Sequence, residues 1–164
     1  MRSIVIVALL LMYLQVSAQE CKLTRTTDPF TKEIRVSSGF VQLEGGSVTL
    51  DASKPEIDIL FSLEGAENCF DNNSTAYIFF EGSKSKGSIR NGGTMNCEGL
   101  FHFIFRNSNS VTSLLNRMMT QKITHIVFTG NNKKETTVTF GPLEQDAVKN
   151  FASCIVNEAK TLLQ

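Results

Sequence analysis

Short runs of alternating apolar and polar residues constrain the fold of this chain more than any other feature. One run places apolar side chains at every second position: Ile57, Ile59, Phe61 and Leu63. A second run repeats this spacing with three aromatic rings: Phe101, Phe103 and Phe105. Because successive side chains of a β-strand point to opposite faces, both runs predict strands with one buried face. Further strands are predicted at residues 21–26, 34–43, 47–51, 76–80, 123–129 and 135–140.

Helical spacing appears at two places. After Ser110, the predicted N-cap, apolar residues recur at intervals of three and four: Val111, Leu114, Leu115, Met118 and Met119. Pro142 suits the first turn of a second helix, whose apolar stripe continues to Leu163. The predicted fold class is therefore α+β, a mainly antiparallel β-sheet with one short internal helix and a long C-terminal helix packed on it.

One segment between the predicted strands, residues 82–93, is polar and rich in Gly and Ser. It predicts an exposed loop, and exposed loops often carry the contacts of a protein. The candidate contact residues are Ser83, Lys84, Ser85, Lys86, Gly87 and Ser88. The phosphate-binding spacing of Gly, Lys and Ser is absent from this segment.

The start of the chain has the three parts of a secretory signal. Arg2 precedes the uncharged apolar run 4–14, and small residues follow at Val16-Ser17-Ala18. The run is shorter than the roughly 20 residues that a membrane span needs. We therefore expect residues 1–18 to be a removable signal peptide and residues 19–164 to be a single α+β domain, periplasmic or extracellular. A retained membrane anchor is the alternative, whereas Glu20 argues against a lipid on Cys21.

Four cysteines remain after the signal: Cys21, Cys69, Cys97 and Cys154. An even number in an exported chain predicts two disulfides, and sequence alone allows three connectivities. We favour Cys69–Cys97, which closes a medium loop, and Cys21–Cys154, which ties the start of the mature chain to the last helix. A metal site is not expected, because no two cysteines have the close spacing of ligand pairs.

Composition excludes some classes of partner. The 16 basic and 16 acidic side chains balance, whereas nucleic-acid binding needs clustered Lys and Arg. Twelve Phe and no Trp indicate a phenylalanine core, because this side chain has no polar group. No apolar stretch after the signal approaches a membrane span. We expect a monomer without nucleic acid, membrane span, cofactor or metal.

No catalytic constellation is evident. His102 and His125 lie in predicted strands, and no nucleophile can be assigned to them. Asp58 belongs to the polar face of its strand, which explains its presence without a catalytic role. Residues 71–74 contain part of a calcium loop but lack its distal Glu, so an exposed polar turn is expected there. Asn72 and Asn73 also begin two overlapping glycosylation sequons, which matter only in a eukaryotic host.

Several short motifs resemble those of small secreted proteins from Bacteroidetes-type bacteria. They are Asp28-Pro29-Phe30-Thr31-Lys32-Glu33, Asn96-Cys97-Glu98-Gly99, Ile123-Thr124-His125-Ile126-Val127-Phe128 and the helix that carries Cys154-Ile155. The resemblance spans most of the mature chain and implies a bacterial periplasmic or secreted setting. It supplies no catalytic residues, and its motifs look like a turn, a strand start and disulfide positions.

The leading functional hypothesis is a non-enzymatic binding module whose partner is an envelope protein or a glycan. One alternative is a carrier of a small apolar ligand, with phenylalanines lining a cavity. Another is a small secreted hydrolase, which requires His102 or His125 beside a Ser, Asp or Glu in a cleft. A secreted inhibitor acting through residues 83–88 is a further possibility.

Overall fold

A computed structural model describes residues 21–65 and 69–164, so the predicted signal peptide lies outside the described residues. The strands of this part are β1 (Thr24–Thr27), β2 (Ile34–Leu43), β3 (Gly46–Ala52), β4 (Glu56–Leu63), β5 (Thr75–Phe80), β6 (Gly87–Arg90), β7 (Leu100–Arg106), β8 (Ile123–Thr129) and β9 (Glu135–Thr139). Its helices are α1 (Ser113–Thr120) and α2 (Pro142–Thr161). The predicted α+β class is confirmed, with a short internal helix and a long C-terminal one.

The strands form two antiparallel sheets. The order β1-β2-β3-β4-β7 makes a five-stranded sheet, and β6-β5-β8-β9 makes a four-stranded sheet. The alternating runs pair in register, with Ile59 opposite Phe103 and Phe61 opposite Phe101. Each of these residues points into the core, because the pairing aligns the apolar positions of β4 and β7 on one face.

The two sheets also meet at their edges. Beyond β6, the Gly92 amide donates to the His102 carbonyl of β7 at 2.9 Å. Beyond β2, Glu44 forms an isolated antiparallel bridge with Thr139 of β9. β1 pairs only with the first four residues of β2, so the far end of β2 is free to approach β9. The sheets therefore enclose a shared core.

Phenylalanine rings fill the space between the sheets. Phe128 of the four-stranded sheet lies between three rings of the five-stranded sheet, at centroid distances from 5.1 to 6.2 Å: Phe61, Phe101 and Phe103. Phe70 joins this group at 5.1 Å from Phe101. All five side chains are excluded from solvent. Such close aromatic packing matches the prediction that phenylalanine forms the core.

The first turn of each helix has a feature that deals with its free backbone amides: a side-chain cap in α1 and a proline in α2. Pro142 opens α2 after Gly141, as predicted, and α2 packs against β2, β3, β4, β8 and α1. The N-cap of α1 is Thr112, whose hydroxyl accepts from the Leu115 amide, so the predicted cap Ser110 is wrong. Ser110 instead lies in a bend in which its carbonyl accepts from the Ser108 hydroxyl.

The cysteines pair as Cys21–Cys154 and Cys69–Cys97, and the described residues include no free cysteine. Both favoured pairings are thus confirmed. Within the same residues, no helix is long and apolar enough to cross a membrane. The predicted loop 82–93 needs correction, since residues 87–90 form β6. Gly and Ser weaken strand propensity, but pairing with β5 compensates for it here.

Candidate functional site

The candidate contact residues 83–88 lie in the hairpin between β5 and β6. The first four are exposed and form the turn, whereas Gly87 and Ser88 pair with Ile78 and Tyr77. Gly87 is buried, and a Cβ atom on it would lie 2.5 Å from the terminal carbon of Leu114 in α1. Helix α1 therefore packs closely against one side of this hairpin.

Arg117 of α1 holds the tip of the hairpin. Its Nη2 donates to the Ser85 carbonyl at 2.8 Å and to the Ser83 hydroxyl at 3.2 Å. The guanidinium also lies 4.1 Å from the centre of the Phe80 ring. The Ser83 hydroxyl in turn accepts from the Ser85 amide. These contacts support the backbone of the tip, and Lys84 is exposed to solvent.

Three rings lie on the outer face of the four-stranded sheet beside this hairpin. Lys86 places its ammonium 3.6 Å from the centre of the Tyr77 ring. Phe79 and His125 stack at 4.3 Å with an interplanar angle of 9°. His125 Nδ1 lies 3.0 Å from the Thr124 hydroxyl, so this histidine has a hydroxyl neighbour and stacks on an aromatic ring. We call the surface formed by Tyr77, Phe79 and His125 the aromatic face.

A groove of about 320 Å³ lies at the opposite end of the aromatic face from the hairpin tip. Its wall comprises Tyr77, the strand ends Thr75 and Thr129, and two turns that contribute Asp71, Asn73, Gly130, Asn131 and Lys133. We call it the end groove. Thr75 and Thr129 are direct cross-strand partners, so the pairing of β5 with β8 brings the two turns together.

Hydrogen bonds within the chain hold both turns of the end groove. Asp71 Oδ1 accepts from the Asn73 amide at 2.8 Å and from the Ser74 amide at 3.0 Å. The Asn73 amide, followed by the Ser74 groups, holds the pKa of Asp71 below its ordinary value. The Asn131 amide donates to the Cys69 carbonyl at 3.1 Å. The backbone of Cys69, which is paired with Cys97, therefore supports the second turn of the groove.

His102 and Asp58 meet on the outer face of the five-stranded sheet. His102 Nδ1 lies 2.8 Å from Asp58 Oδ2, and the side chains are 24% and 14% exposed. Asp51 is the cross-strand partner of Asp58 and lies 3.8 Å from Arg35. Asp51 and Asp58 each have one buried oxygen without a hydrogen bond among the described residues. The Gly93 backbone covers the His102 ring, because a Cβ atom on Gly93 would overlap the imidazole.

A larger groove of about 530 Å³ lies at the end of the five-stranded sheet, beside the Asp28–Glu33 motif. Asp28 Oδ1 accepts from the amides of Phe30 and Thr31, each at 2.8 Å. These bonds, with Thr31 the stronger influence, hold the pKa of Asp28 below its ordinary value. The Asp28 side chain caps the turn that this motif forms. The turn accounts for the residues of the motif, and no ligand is needed to explain them.

The described residues contain no group of three or more His, Cys, Asp or Glu side chains able to hold a metal ion. The polar turn at Asp71 accordingly uses its carboxylate to cap its own backbone. Comparison with known proteins finds no matching family model, no matching curated protein and no matching solved structure.

The sequence pattern predicted the exposed hairpin tip but did not predict the end groove or the contact between Asp58 and His102. The members of that pair are 44 residues apart in sequence. Both residues lie on the polar faces of their predicted strands. That position predicts a contact between them only if β4 is known to pair with β7. The end groove likewise depends on the pairing of β5 with β8.

Proposed function

We propose that this protein is an exported, non-enzymatic binding module that contacts its partner through the hairpin tip and the aromatic face. The observation that carries this proposal is the anchoring of residues 83 and 85 by Arg117. A surface held in one conformation before binding loses less conformational entropy when the partner arrives. The tip then presents Lys84 to solvent for contact, and Lys86 lies over the ring of Tyr77.

Two disulfides support export, because such bonds persist in oxidising compartments. The periplasm or the exterior of a bacterial cell is the proposed location, in keeping with the signal-like residues 1–18 and the family resemblance. An apolar carrier is less well supported, since five phenylalanine rings pack against one another where a ligand would lie.

Photo-crosslinking tests the binding proposal. A photoreactive residue at position 84 of the mature, oxidised domain is expected to capture a specific component of an envelope extract, whereas the same residue at position 54 is not. Arg117→Ala is expected to weaken this capture, because it releases the tip. Equal capture from positions 84 and 54, or full capture by the Arg117→Ala variant, would contradict the proposed surface.

A small hydrolase is the second candidate: the pairing of His102 with Asp58 favours it, whereas neither of the two described grooves is lined by a histidine. A carboxylate that orients an imidazole is one part of a nucleophile-activating arrangement. Ser62 lies on the same face of β4 as Asp58, two positions beyond the cross-strand partner of His102. Turnover of an activated ester such as p-nitrophenyl acetate by the oxidised domain, lost in both His102→Ala and Ser62→Ala, would support this candidate. Turnover that is equal in the parent and the variants would exclude it.

A further inference from the structure

The end groove differs from the hairpin tip in both chemistry and shape. Its side chains include one carboxylate, one ammonium and two amides: Asp71, Lys133, Asn73 and Asn131. The hydroxyls of Thr75 and Thr129 complete the polar part of the wall. The wall therefore carries both donors and acceptors, with one negative and one positive side chain.

Several of these groups have hydrogen-bonding capacity to spare. Asp71 uses Oδ1 for its own turn, whereas Oδ2 accepts no hydrogen bond from the described residues. The side-chain amides of Asn73 and Asn131 are exposed, and neither is bonded within the described part of the chain. A ligand that supplies closely spaced hydroxyl groups, each a donor and an acceptor, matches this arrangement.

Tyr77 supplies the apolar part of the wall. Its ring is half-buried, and the ammonium of Lys86 lies 3.6 Å from the ring centre. A phenol combines an apolar ring with a polar tip, which suits a ligand with both C–H surfaces and hydroxyls. The groove volume of about 320 Å³ falls in the size range of small-molecule sites, and the groove is open at the surface.

The backbone of the groove is held before any ligand binds. The Gly130 amide donates to the Lys134 carbonyl at 2.9 Å, and the Asn131 amide is bonded to Cys69. The Cys69–Cys97 disulfide fixes this support to the segment before β7. Such preorganisation lowers the entropic cost of ordering the polar groups around a ligand.

We propose that the end groove binds the terminal sugars of a neutral oligosaccharide. This inference rests on the proposed binding function and names the class of ligand for the groove end of the same sheet. A strongly anionic ligand would face the Asp71 carboxylate, and a cationic ligand would face the Lys133 ammonium. A neutral polyol with an apolar ring surface avoids both repulsions and can bond to Asp71 Oδ2 and to the side-chain amides of Asn73 and Asn131.

The test uses the mature, oxidised domain on a printed array of neutral, sialylated and sulfated oligosaccharides, followed by calorimetry with the best-bound soluble member. Neutral oligosaccharides are expected to bind. The N73A/N131A double variant should weaken that binding about tenfold or more, because two ligand hydrogen bonds are lost. The matched N72A/N109A variant changes two exposed asparagines outside the groove wall and should bind as the parent does.

Tyr77 provides a second pair of variants. Y77F keeps the ring and should retain affinity within about threefold, whereas Y77A removes the apolar wall and should lose about tenfold or more. Binding to no array member, binding only to acidic members, or equal affinity of N73A/N131A and the parent would overturn the oligosaccharide proposal. If the array fails while crosslinking from position 84 still captures a partner, the binding module stands and only its ligand class is wrong.

Discussion

The imidazole of His102 and the carboxylate of Asp58 lie 2.8 Å apart across neighbouring strands β7 and β4. Both side chains are mostly buried although they point away from the main core. The other oxygen of Asp58 has no hydrogen bond within the described residues. His102 therefore supplies the one side-chain hydrogen bond that this carboxylate makes in the described structure.

Removal of His102 should cost more stability than its own contacts suggest. His102→Ala leaves a mostly buried carboxylate without its partner, and we expect a loss of about 1–3 kcal/mol in the free energy of unfolding. In the double variant with Asp58→Ala, the unpaired carboxylate is also removed. Urea denaturation of the four proteins should give a coupling energy of about 0.5–3 kcal/mol. His125→Ala combined with Asp58→Ala serves as the control and should be additive, since His125 lies in the other sheet.

Phe128 should be among the most costly core residues to truncate. Its ring lies within about 6.4 Å of four other phenylalanine rings and is fully buried. Phe128→Ala should lower the free energy of unfolding by about 3–5 kcal/mol. Phe40, which is 82% exposed, is the matched control, and Phe40→Ala should change stability by less than about 0.5 kcal/mol. A small effect at Phe128, together with uptake of an apolar dye by the parent protein, would instead favour the carrier hypothesis.

The two disulfides should contribute unequally to stability. Cys21–Cys154 spans 133 positions and Cys69–Cys97 spans 28. Loop-closure entropy predicts losses of about 5 and about 3–4 kcal/mol when each pair is replaced by serine. Guanidinium denaturation of the two paired variants measures the difference. Thiol titration of the unfolded, unreduced parent should detect no free thiol, and two or four would contradict the pairing.

Asp71 should add to stability only where its carboxylate is ionised. The Asn73 amide, followed by the Ser74 groups, lowers its folded pKa from the ordinary value of 3.8. A lowered folded pKa gives stabilisation that is present above the unfolded pKa and lost as the pH falls through the folded value. The stability difference between the parent and Asp71→Asn should thus be constant near neutral pH and shrink below about pH 4. Thermal unfolding of both proteins across this pH range tests the prediction. A stability difference that grows in acid would contradict it.

Local pattern was sufficient for most of the secondary structure. The predicted strand at residues 34–43 coincides with β2, the run of Phe101, Phe103 and Phe105 lies in β7, and Pro142 begins α2 as expected. Strand β6 was missed because its residues, Gly87 to Arg90, have weak strand propensity and form a strand by pairing with β5. The predicted N-cap of α1, Ser110, lies two residues before the observed cap Thr112. Both residues have a hydroxyl that can cap a helix, so the pattern did not distinguish them.

The α+β class, the phenylalanine core and the two cysteine pairs could be predicted from the sequence, because alternation, helical spacing and cysteine number are local or compositional properties. Three features depend on the tertiary structure: the division of the strands into two sheets, the contact between His102 and Asp58, and the end groove formed by two distant turns. Periodicity states which face of a strand is buried but not which strand lies beside it. That choice depends on contacts between residues far apart in the chain, and the candidate sites exist only where those contacts form.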